Sequence, residues 1–347
     1  MRLEELEVEG YEGVYKANLE TSGEEEPIAI RAIYDTSLGP ALGGTRLWNY
    51  DTEDEALEDV KRLSKGMAYK AAAADLPLGG GKAVIMADPE KKTGEWFEEY
   101  GKAVDALNGK YITAEDVNTV TDDMAIVAKQ TDHVVGLEAG LGDPSPITAK
   151  GVYHGIKASL KEHEDYDPED LEDTTILVQG LGKVGGYLAE HLLEDGAHVK
   201  GTDIDKDTVK KMEEKGLEPV NPEKVYSEEC DVFAPCALGG IINDKTIEKL
   251  KCDLVAGAAN NQLKEDKHAE ELKEAGILYA PDYVINAGGL LAVYNEKEGN
   301  TLEDAKKDAE GIEDRLYQMF EEARKNDITP LEAANRYAER KMEEAGN

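Results

Sequence analysis

The stretch that most restricts the fold is Gly180-Leu-Gly182-Lys-Val-Gly185. It follows directly on Thr175-Ile-Leu-Val-Gln, an apolar β-branched run that predicts a strand. Tyr187-Leu-Ala-Glu-His-Leu-Leu behind it has helical spacing. His198-Val-Lys-Gly-Thr-Asp203 predicts a second strand, ending in an acid 23 residues after Gly180. A Gly-x-Gly-x-x-Gly alone is a weak signal. Between a strand and a helix, with a trailing acid at that distance, it predicts a dinucleotide-binding βαβ unit. The glycines let backbone approach a pyrophosphate at a helix N-terminus, so Gly180, Gly182, Lys183, Val184 and Gly185 are the expected cofactor loop. Asp203 would accept hydrogen bonds from the adenosine ribose hydroxyls. Its charge would repel a 2′-phosphate, and no arginine lies between 180 and 210, so NAD is favoured over NADP. The plainer reading of Asp203 is a capping acid in Asp203-Ile-Asp205-Lys-Asp207.

More βα units follow. Asp231–Leu238, Asp253–Gly257 and Ile277–Pro281 read as strands alternating with helices, as a doubly wound parallel sheet requires. Ligands bind at the carboxyl ends of such strands, which places Ala237, Asn260, Asn261 and Asn286 near the cofactor. Helices are expected over about 301–325 and 330–345, the second opened by the capping box Thr329-Pro-Leu-Glu332.

The first half has a different rhythm. Residues 11–19 and 27–35 alternate apolar and polar and predict paired, half-buried strands. Leu38–Arg46 reads as a glycine-rich loop entering a strand near Thr45–Tyr50. Ala56, Val60, Leu63 and Met67 then share one helical face, capped by Asp51 or Thr52, and Lys70 falls at or just past its end. Gly79-Gly-Gly reads as a bare turn delivering Lys82 into the strand Ala83–Ala87. A helix over 95–107, a strand Tyr111–Val117 with Asp116 at its carboxyl edge, and a helix from Thr121 to Lys129 complete this half. Glu138–Pro146 is the strongest linker signal, and Thr148 opens the next helix.

Lys70 and Lys82 sit among small, uncharged residues in a chain where 33% of residues are charged. A desolvated lysine near a second cation loses affinity for its proton and can act as a base near neutral pH. The plain alternative is a glycine turn beside a solvated surface charge. The stretch is not a phosphate-binding P-loop, because Leu76 and Ala83 stand where that motif needs Gly and Ser or Thr.

Length and charge bound the remainder. A chain of 347 residues accommodates two domains. The net charge of −36, from 39 basic and 75 acidic residues, repels nucleic acid and anionic membranes. Acids spread along the whole chain predict a surface adapted to a salty cytoplasm, although its many lysines fit that less well. No apolar run is long enough to span a membrane, and the acidic N-terminus is unlike a signal peptide. Cys230, Cys236 and Cys252 lack metal-ligand spacing and read as reduced thiols of a cytoplasmic protein, so no metal is expected.

Taken in order, Leu42-Gly-Gly-Thr-Arg, Gly66-Met-Ala-Tyr-Lys, Leu78-Gly-Gly-Gly-Lys, Tyr111-Ile-Thr-Ala-Glu-Asp-Val, Pro144-Ser-Pro-Ile-Thr, Ala234-Pro-Cys-Ala-Leu-Gly, Asn260-Asn-Gln-Leu and Asn286-Ala-Gly-Gly resemble one family. They look like the amino-acid dehydrogenases of the glutamate/leucine/phenylalanine/valine superfamily, closest to its leucine dehydrogenase branch. The resemblance implies NAD-dependent, reversible oxidative deamination of an L-amino acid to a 2-oxo acid and ammonia. It implies an α/β fold of two domains. An N-terminal substrate, catalytic and oligomerisation domain with a mixed sheet would span 1–143, with about 326–347 packing back on it. A Rossmann-type NAD domain would span 144–325, with Thr148 among its cofactor residues. It also implies a symmetric homo-oligomer.

By the matching positions, Lys70 would bind the substrate α-carboxylate. Lys82 would activate water and stabilise the charge developing at the α-carbon, Asp116 would exchange protons with the amine, and Asn261 would orient the amino group or its cofactor-side neighbours. Leu42, Gly43, Ala114, Leu290 and Val293 would contact substrate. Leu42 stands where glutamate-specific relatives place a lysine, which favours leucine, valine or isoleucine. A phenylalanine-preferring enzyme and a non-catalytic NAD-responsive protein are the alternatives. The leucine-type pattern has Gly where this chain has Asn118, a residue that tolerates left-handed backbone.

Overall fold

The computed structural model describes residues 3–23, 26–137, 141–163 and 166–346. The expected linker residues Glu138 to Gly140 lie outside them. The chain divides into two compact units. One comprises 1–142, 296–299 and 338–347, the other 143–295 and 300–337.

The first unit contains strands β1 Leu3–Leu6, β2 Gly13–Asn18, β3 Ile28–Asp35 and β4 Ala41–Trp48, then helix α1 Glu53–Ala73. After it come β5 Gly79–Met86, α2 Gly94–Asp105, β6 Tyr111–Glu115 and α3 Thr121–Val127. The sheet order is β1-β2-β3-β5-β4-β6. Pairings β1–β2, β2–β3 and β3–β5 are antiparallel, while β5–β4 and β4–β6 are parallel, so the sheet is mixed. One face packs on α2 and α3 through Phe97, Tyr100, Met124 and Val127, the other on α1 through Ala56 and Val60.

Two glycine readings are corrected here. Gly43 and Gly44 lie inside β4, and Gly79, Gly80 and Gly81 lie inside β5; neither run is a loop or turn. The reason is close backbone approach. A Cβ on Gly43 would lie 1.7 Å from the Gly81 carbonyl oxygen, and one on Gly80 would lie 2.3 Å from the Ala68 nitrogen of α1. The buried residues of α1 are correspondingly small apart from Tyr69: Ala56, Val60, Ser64, Ala68, Ala71, Ala72 and Ala73, with Leu63 and Met67 only half-buried. Thr52 caps this helix, accepting from the Glu55 amide at 3.2 Å, and Lys70 occupies its last turn. β3 is buried on both faces, not half-buried as its alternation suggests.

The second unit contains α4 Ser145–Glu162, β7 Thr175–Gln179, α5 Lys183–Glu194, β8 His198–Thr202, α6 Lys206–Glu213, β9 Glu218–Pro219, β10 Val232–Pro235, α7 Asp244–Ile247 and β11 Leu254–Val255. After these come α8 Lys267–Glu274, β12 Leu278–Tyr279, α9 Asp282–Ile285, α10 Gly288–Lys297, α11 Leu302–Glu310, α12 Ile312–Asn326 and α13 Pro330–Gly346. Its sheet runs β12-β11-β10-β7-β8-β9, all parallel. That is the doubly wound order, with the switch point between β7 and β10. α4 begins at Ser145 rather than Thr148, because Pro146 is tolerated in a first turn. The single helix expected over 301–325 is two, divided at Gly311. Thr329 caps α13, accepting from the Glu332 amide at 3.1 Å. The boundary between the units falls within α13: residues up to Tyr337 belong to the second unit and those from Ala338 to the first.

Candidate active site

Sheet register decides which side chains of the first unit share a face. Leu42 pairs with Gly80 and Ile112, Gly44 with Ala114, Arg46 with Val84, and Lys82 with Ala32. Side chains alternate along a strand. Leu42, Arg46, Lys82 and Ala114 therefore project to the α1 side, where Ala32 and Val84 meet Ala56 and Val60. Asp116, two residues beyond Ala114, continues that face past the end of β6.

There the charges meet. Lys82 is 6% exposed. Its Nζ lies 3.1 Å from Asp116 Oδ1. Arg46 Nε donates to the other oxygen, Oδ2, at 3.1 Å, and Arg46 Nη1 donates to Asp59 Oδ2 of α1 at 2.8 Å. The Tyr50 hydroxyl and Arg62 donate to Asp59 as well, at 2.7 and 2.8 Å. Burial pushes the Lys82 ammonium below the ordinary lysine value, against the pull of Asp116 and helped by Arg46. Burial alone would raise the Asp116 carboxyl, but Lys82 and Arg46 together hold it below the ordinary aspartate value. Arg46 is a cation acting on Lys82 that the sequence did not single out.

Local turn chemistry fixes Asp116. The Thr119 amide donates to the Asp116 carbonyl at 3.1 Å, closing a turn in which Asn118 has φ of +60°. Positive φ at this turn position needs Gly or Asn. The Asn118 side-chain Nδ2 donates to the Leu47 carbonyl at 2.9 Å. The Asp116 amide donates to Thr119 Oγ1 at 2.8 Å, and that hydroxyl donates to the Thr45 carbonyl at 2.8 Å. Gly44 leaves room for all this, since a Cβ there would lie 2.9 Å from Asp116 Cβ. Gly43 is held differently: its carbonyl accepts from the Tyr111 hydroxyl at 2.6 Å.

In the second unit the site is made of backbone. Gly180 has φ of +95° against Ala237, and a Cβ on Gly185 would lie 1.9 Å from the Gly180 carbonyl oxygen. A Cβ on Gly182 would meet no atom within 4 Å. Gly182 caps α5 without a side-chain acceptor, so the first amides of that helix, at Lys183 and Val184, stay available to an anion. Asp203 Oδ2 accepts from the Leu181 amide at 2.7 Å and Oδ1 from the Asp205 amide at 2.9 Å. Asp205, not Asp203, caps α6, accepting from the Asp207 amide at 3.0 Å; the Asp203 carboxylate instead holds the loop and keeps free lone pairs. Asn286 donates to Asn260 Oδ1 at 2.8 Å and to the Ala258 carbonyl at 3.1 Å, while its own buried Oδ1 has no partner among the described residues. Asn261 is exposed with φ of +51°. Thr148 packs on the Gly288–Gly289 start of α10, where Leu290 is buried and Val293 half-buried. These residues fit a dinucleotide: an open glycine, free helix amides, and unpartnered acceptors.

Arg46, Asp59, Gly44 and Thr119 were not singled out from the sequence. Only the Thr45-Arg46 end of a glycine-rich motif hinted at the first. Asp244, His268 and Glu271 also bring potential metal ligands within 4.8 Å of one another. The Lys267 ammonium already lies 2.7 Å from Asp244 and 3.3 Å from Glu271.

Comparison with known proteins follows this geometry. Residues 14–133 match the Glu/Leu/Phe/Val dehydrogenase dimerisation domain, and residues 200–346 match the Glutamate/Leucine/Phenylalanine/Valine dehydrogenase family. The chain is 51% identical to leucine dehydrogenase of Thermoactinomyces intermedius over 320 residues, covering 91% of this chain and 87% of that protein. It is 46% identical to phenylalanine dehydrogenase of Caldalkalibacillus thermarum over 91% of this chain and 87% of that one. The crystal structure of L-tryptophan dehydrogenase from Nostoc punctiforme superposes with a TM-score of 0.86 at 44% identity, covering 97% of each chain. The chain belongs to the Glu/Leu/Phe/Val dehydrogenases, as an amino-acid dehydrogenase of the leucine dehydrogenase type.

Proposed function

We propose that this enzyme catalyses the reversible, NAD-dependent oxidative deamination of a branched-chain aliphatic L-amino acid to its 2-oxo acid and ammonia. The observation that carries the reading is the pair of buried Lys82 and half-buried Asp116 at 3.1 Å, with Lys82 easier to deprotonate than an ordinary lysine. Lys70 holds the substrate α-carboxylate. Neutral Lys82 takes a proton from water as that water adds to the iminium carbon, and its ammonium then offsets the charge developing there. Asp116, ionised, accepts a proton from the amine and returns it to the departing ammonia. Asn261 orients the amino group. The dinucleotide, when bound, supplies the hydride acceptor. Gly180, Gly182, Lys183, Val184 and Gly185 receive its pyrophosphate, and Asp203 its ribose. Thr148, Ala237, Asn260 and Asn286 hold the rest, the free Asn286 oxygen suiting an amide donor.

Leu42 and Ala114, buried beside Lys82 on one sheet face, offer no cation to a side-chain carboxylate. Desolvating such a carboxylate without a partner opposes glutamate. Leu290 and Val293 are assigned the same apolar preference, and Gly43 a contact through its backbone. A second reading, an aromatic substrate, is favoured by the similarity to the phenylalanine and tryptophan dehydrogenases. We further propose a homo-oligomer in a salt-rich cytoplasm; the charge of −36 supports the salt, because screening relieves self-repulsion.

Initial rates with L-leucine, L-valine, L-phenylalanine, L-tryptophan and L-glutamate test the reading, with NAD or NADP, in low and multimolar KCl. Fastest turnover of leucine and valine with NAD at high salt is expected. Preference for an aromatic substrate would keep the chemistry and replace the pocket assignment; preference for glutamate or NADP would overturn the corresponding assignment outright.

A further inference from the structure

We propose that the first unit holds an internal site for a small monovalent anion, a halide, at the guanidinium of Arg31. Arg31 lies at the middle of β3 and is 0% exposed. Its neighbours at alternate positions, Ala29 and Ile33, belong to the core cluster under α2, so its side chain enters that same layer. Across the sheet it pairs with Ala83 of β5 and Tyr15 of β2. Its Nε, Nη1 and Nη2 all lack a hydrogen-bond partner among the described residues.

The charge on this group does not disappear. Burial pulls the guanidinium below its ordinary value, yet arginine starts so high that it stays protonated through neutral pH. Its titratable neighbours are the phenols of Tyr100, Tyr111 and Tyr15, with no carboxylate among them. Tyr100 and Tyr111 are themselves fully buried, and burial raises both, so neither becomes a phenolate counter-ion. The Tyr111 proton is committed to the Gly43 carbonyl, and Tyr100 shares its hydroxyl with Thr45 and Thr113. Among the described residues this buried cation faces no carboxylate, whereas Lys82 has Asp116.

A buried, uncompensated charge is among the most costly features a core can contain, and orphaned donors call for a partner. Water would satisfy N–H groups but would leave the charge uncompensated. A monatomic anion supplies both acceptor and charge. The chain's net charge of −36 repels anions at long range, so occupancy should rise steeply where salt screens that field.

Crystals equilibrated in molar KBr test the site by anomalous scattering from bromide. The expected result is a peak within hydrogen-bonding reach of the Arg31 guanidinium, absent from Arg31→Leu crystals. In parallel, Tm is compared in KCl and in potassium gluconate at equal ionic strength, gluconate being too large for an enclosed site. The halide should raise wild-type Tm relative to gluconate by about 3 °C or more beyond the difference seen in Arg31→Leu. Arg31→Lys should retain part of that gain. No bromide peak at Arg31, or water density there in its place, overturns the proposal. So does a peak that persists in Arg31→Leu, or a halide effect equal in both proteins. Should Arg31→Leu fail to fold, the wild-type bromide map decides alone. Neither measurement reads turnover, so its outcome is independent of the assigned reaction.

Discussion

The two units build their sites from opposite materials. In the first, chemistry rests on side chains that meet from afar: Arg46 and Asp116 are 70 residues apart, and Arg46 and Asp59 are 13 apart. In the second, binding rests on backbone from one short run, with Asp203 clamping the Leu181 amide from 22 residues on. A side-chain site is tuned by charge and burial, and single substitutions alter its protonation. A backbone site is tuned by shape, and the damaging substitutions are those that add a Cβ. The first should therefore fail in its rate and pH profile, the second in its cofactor affinity.

The sharpest break is Lys82→Ala. With the base gone, kcat should fall by about 10³-fold or more, the scale of a positioned acid–base group. NAD affinity, measured by titration calorimetry, should stay within about twofold, because the glycine loop belongs to the other unit. A variant that loses both together would show that the two sites are not separable in this way.

Next in size is a pair of changes in one loop. Gly185→Ala places a methyl 1.9 Å from the Gly180 carbonyl oxygen, so the loop has to move. Weaker NAD binding by about tenfold to a hundredfold is expected, with a Tm loss of several degrees. Gly182→Ala meets no protein atom within 4 Å. Its Tm should stay within about 2 °C, while NAD affinity drops roughly tenfold because the methyl enters space meant for the pyrophosphate. Calorimetric unfolding beside NAD titration separates the two. Equal Tm losses would refute the distinction between a glycine needed by the fold and one needed by the ligand.

Smaller is Asp203→Asn. It retains an acceptor for the Leu181 amide but removes the negative charge. NAD affinity should fall by less than tenfold and NADP affinity should rise, narrowing their ratio; an unchanged ratio would count against charge as the discriminator.

The same contrast explains what could be read in advance. The loop 180–185 and Asp203 were legible because all their chemistry lies in contiguous residues at a fixed spacing. The doubly wound parallel sheet followed from the alternation of strands and helices. Lys82 was legible as a possible base from its neutral surroundings, but its partnership with Asp116 came only through family resemblance, and Arg46 had no role at all, because parallel register across β4, β5 and β6 joins residues that no local pattern connects. Glycine misled where it usually informs. Runs 43–44 and 79–81 look like turns, yet they are strand positions where backbones and α1 press close. Asn118 was anticipated in a left-handed conformation and has it. β1, half of whose four residues are acidic, and the two-residue β9 carry too little pattern to be seen, whereas β11 and β12 fall inside the strands expected over 253–257 and 277–281. Arg31 escaped because alternation in β3 suggests a polar outer face, and that strand has none.

The finest test of the side-chain site is Arg46→Gln. Turnover of free enzyme and substrate needs Lys82 neutral, so kcat/KM climbs with pH through the Lys82 titration. Arg46 pushes that titration downward by charge repulsion. Its removal moves the acid limb to higher pH and frees the Asp116 carboxyl from one of its two cations, raising it too. On the limb, at fixed pH, kcat/KM should drop about twofold to fivefold, the scale of a solvent-screened charge pair. On the alkaline plateau the rate should recover, because Lys82 is neutral there with or without Arg46. Stability follows the same sign. The folded value of Lys82 lies below its unfolded value, so the unfolded chain binds more protons between the two, and stability rises with pH across that window. Arg46→Gln narrows the window. An acid limb that shifts to lower pH, or a deficit that persists unchanged on the plateau, would mean that Arg46 acts by holding Asp116 in place and not by tuning Lys82.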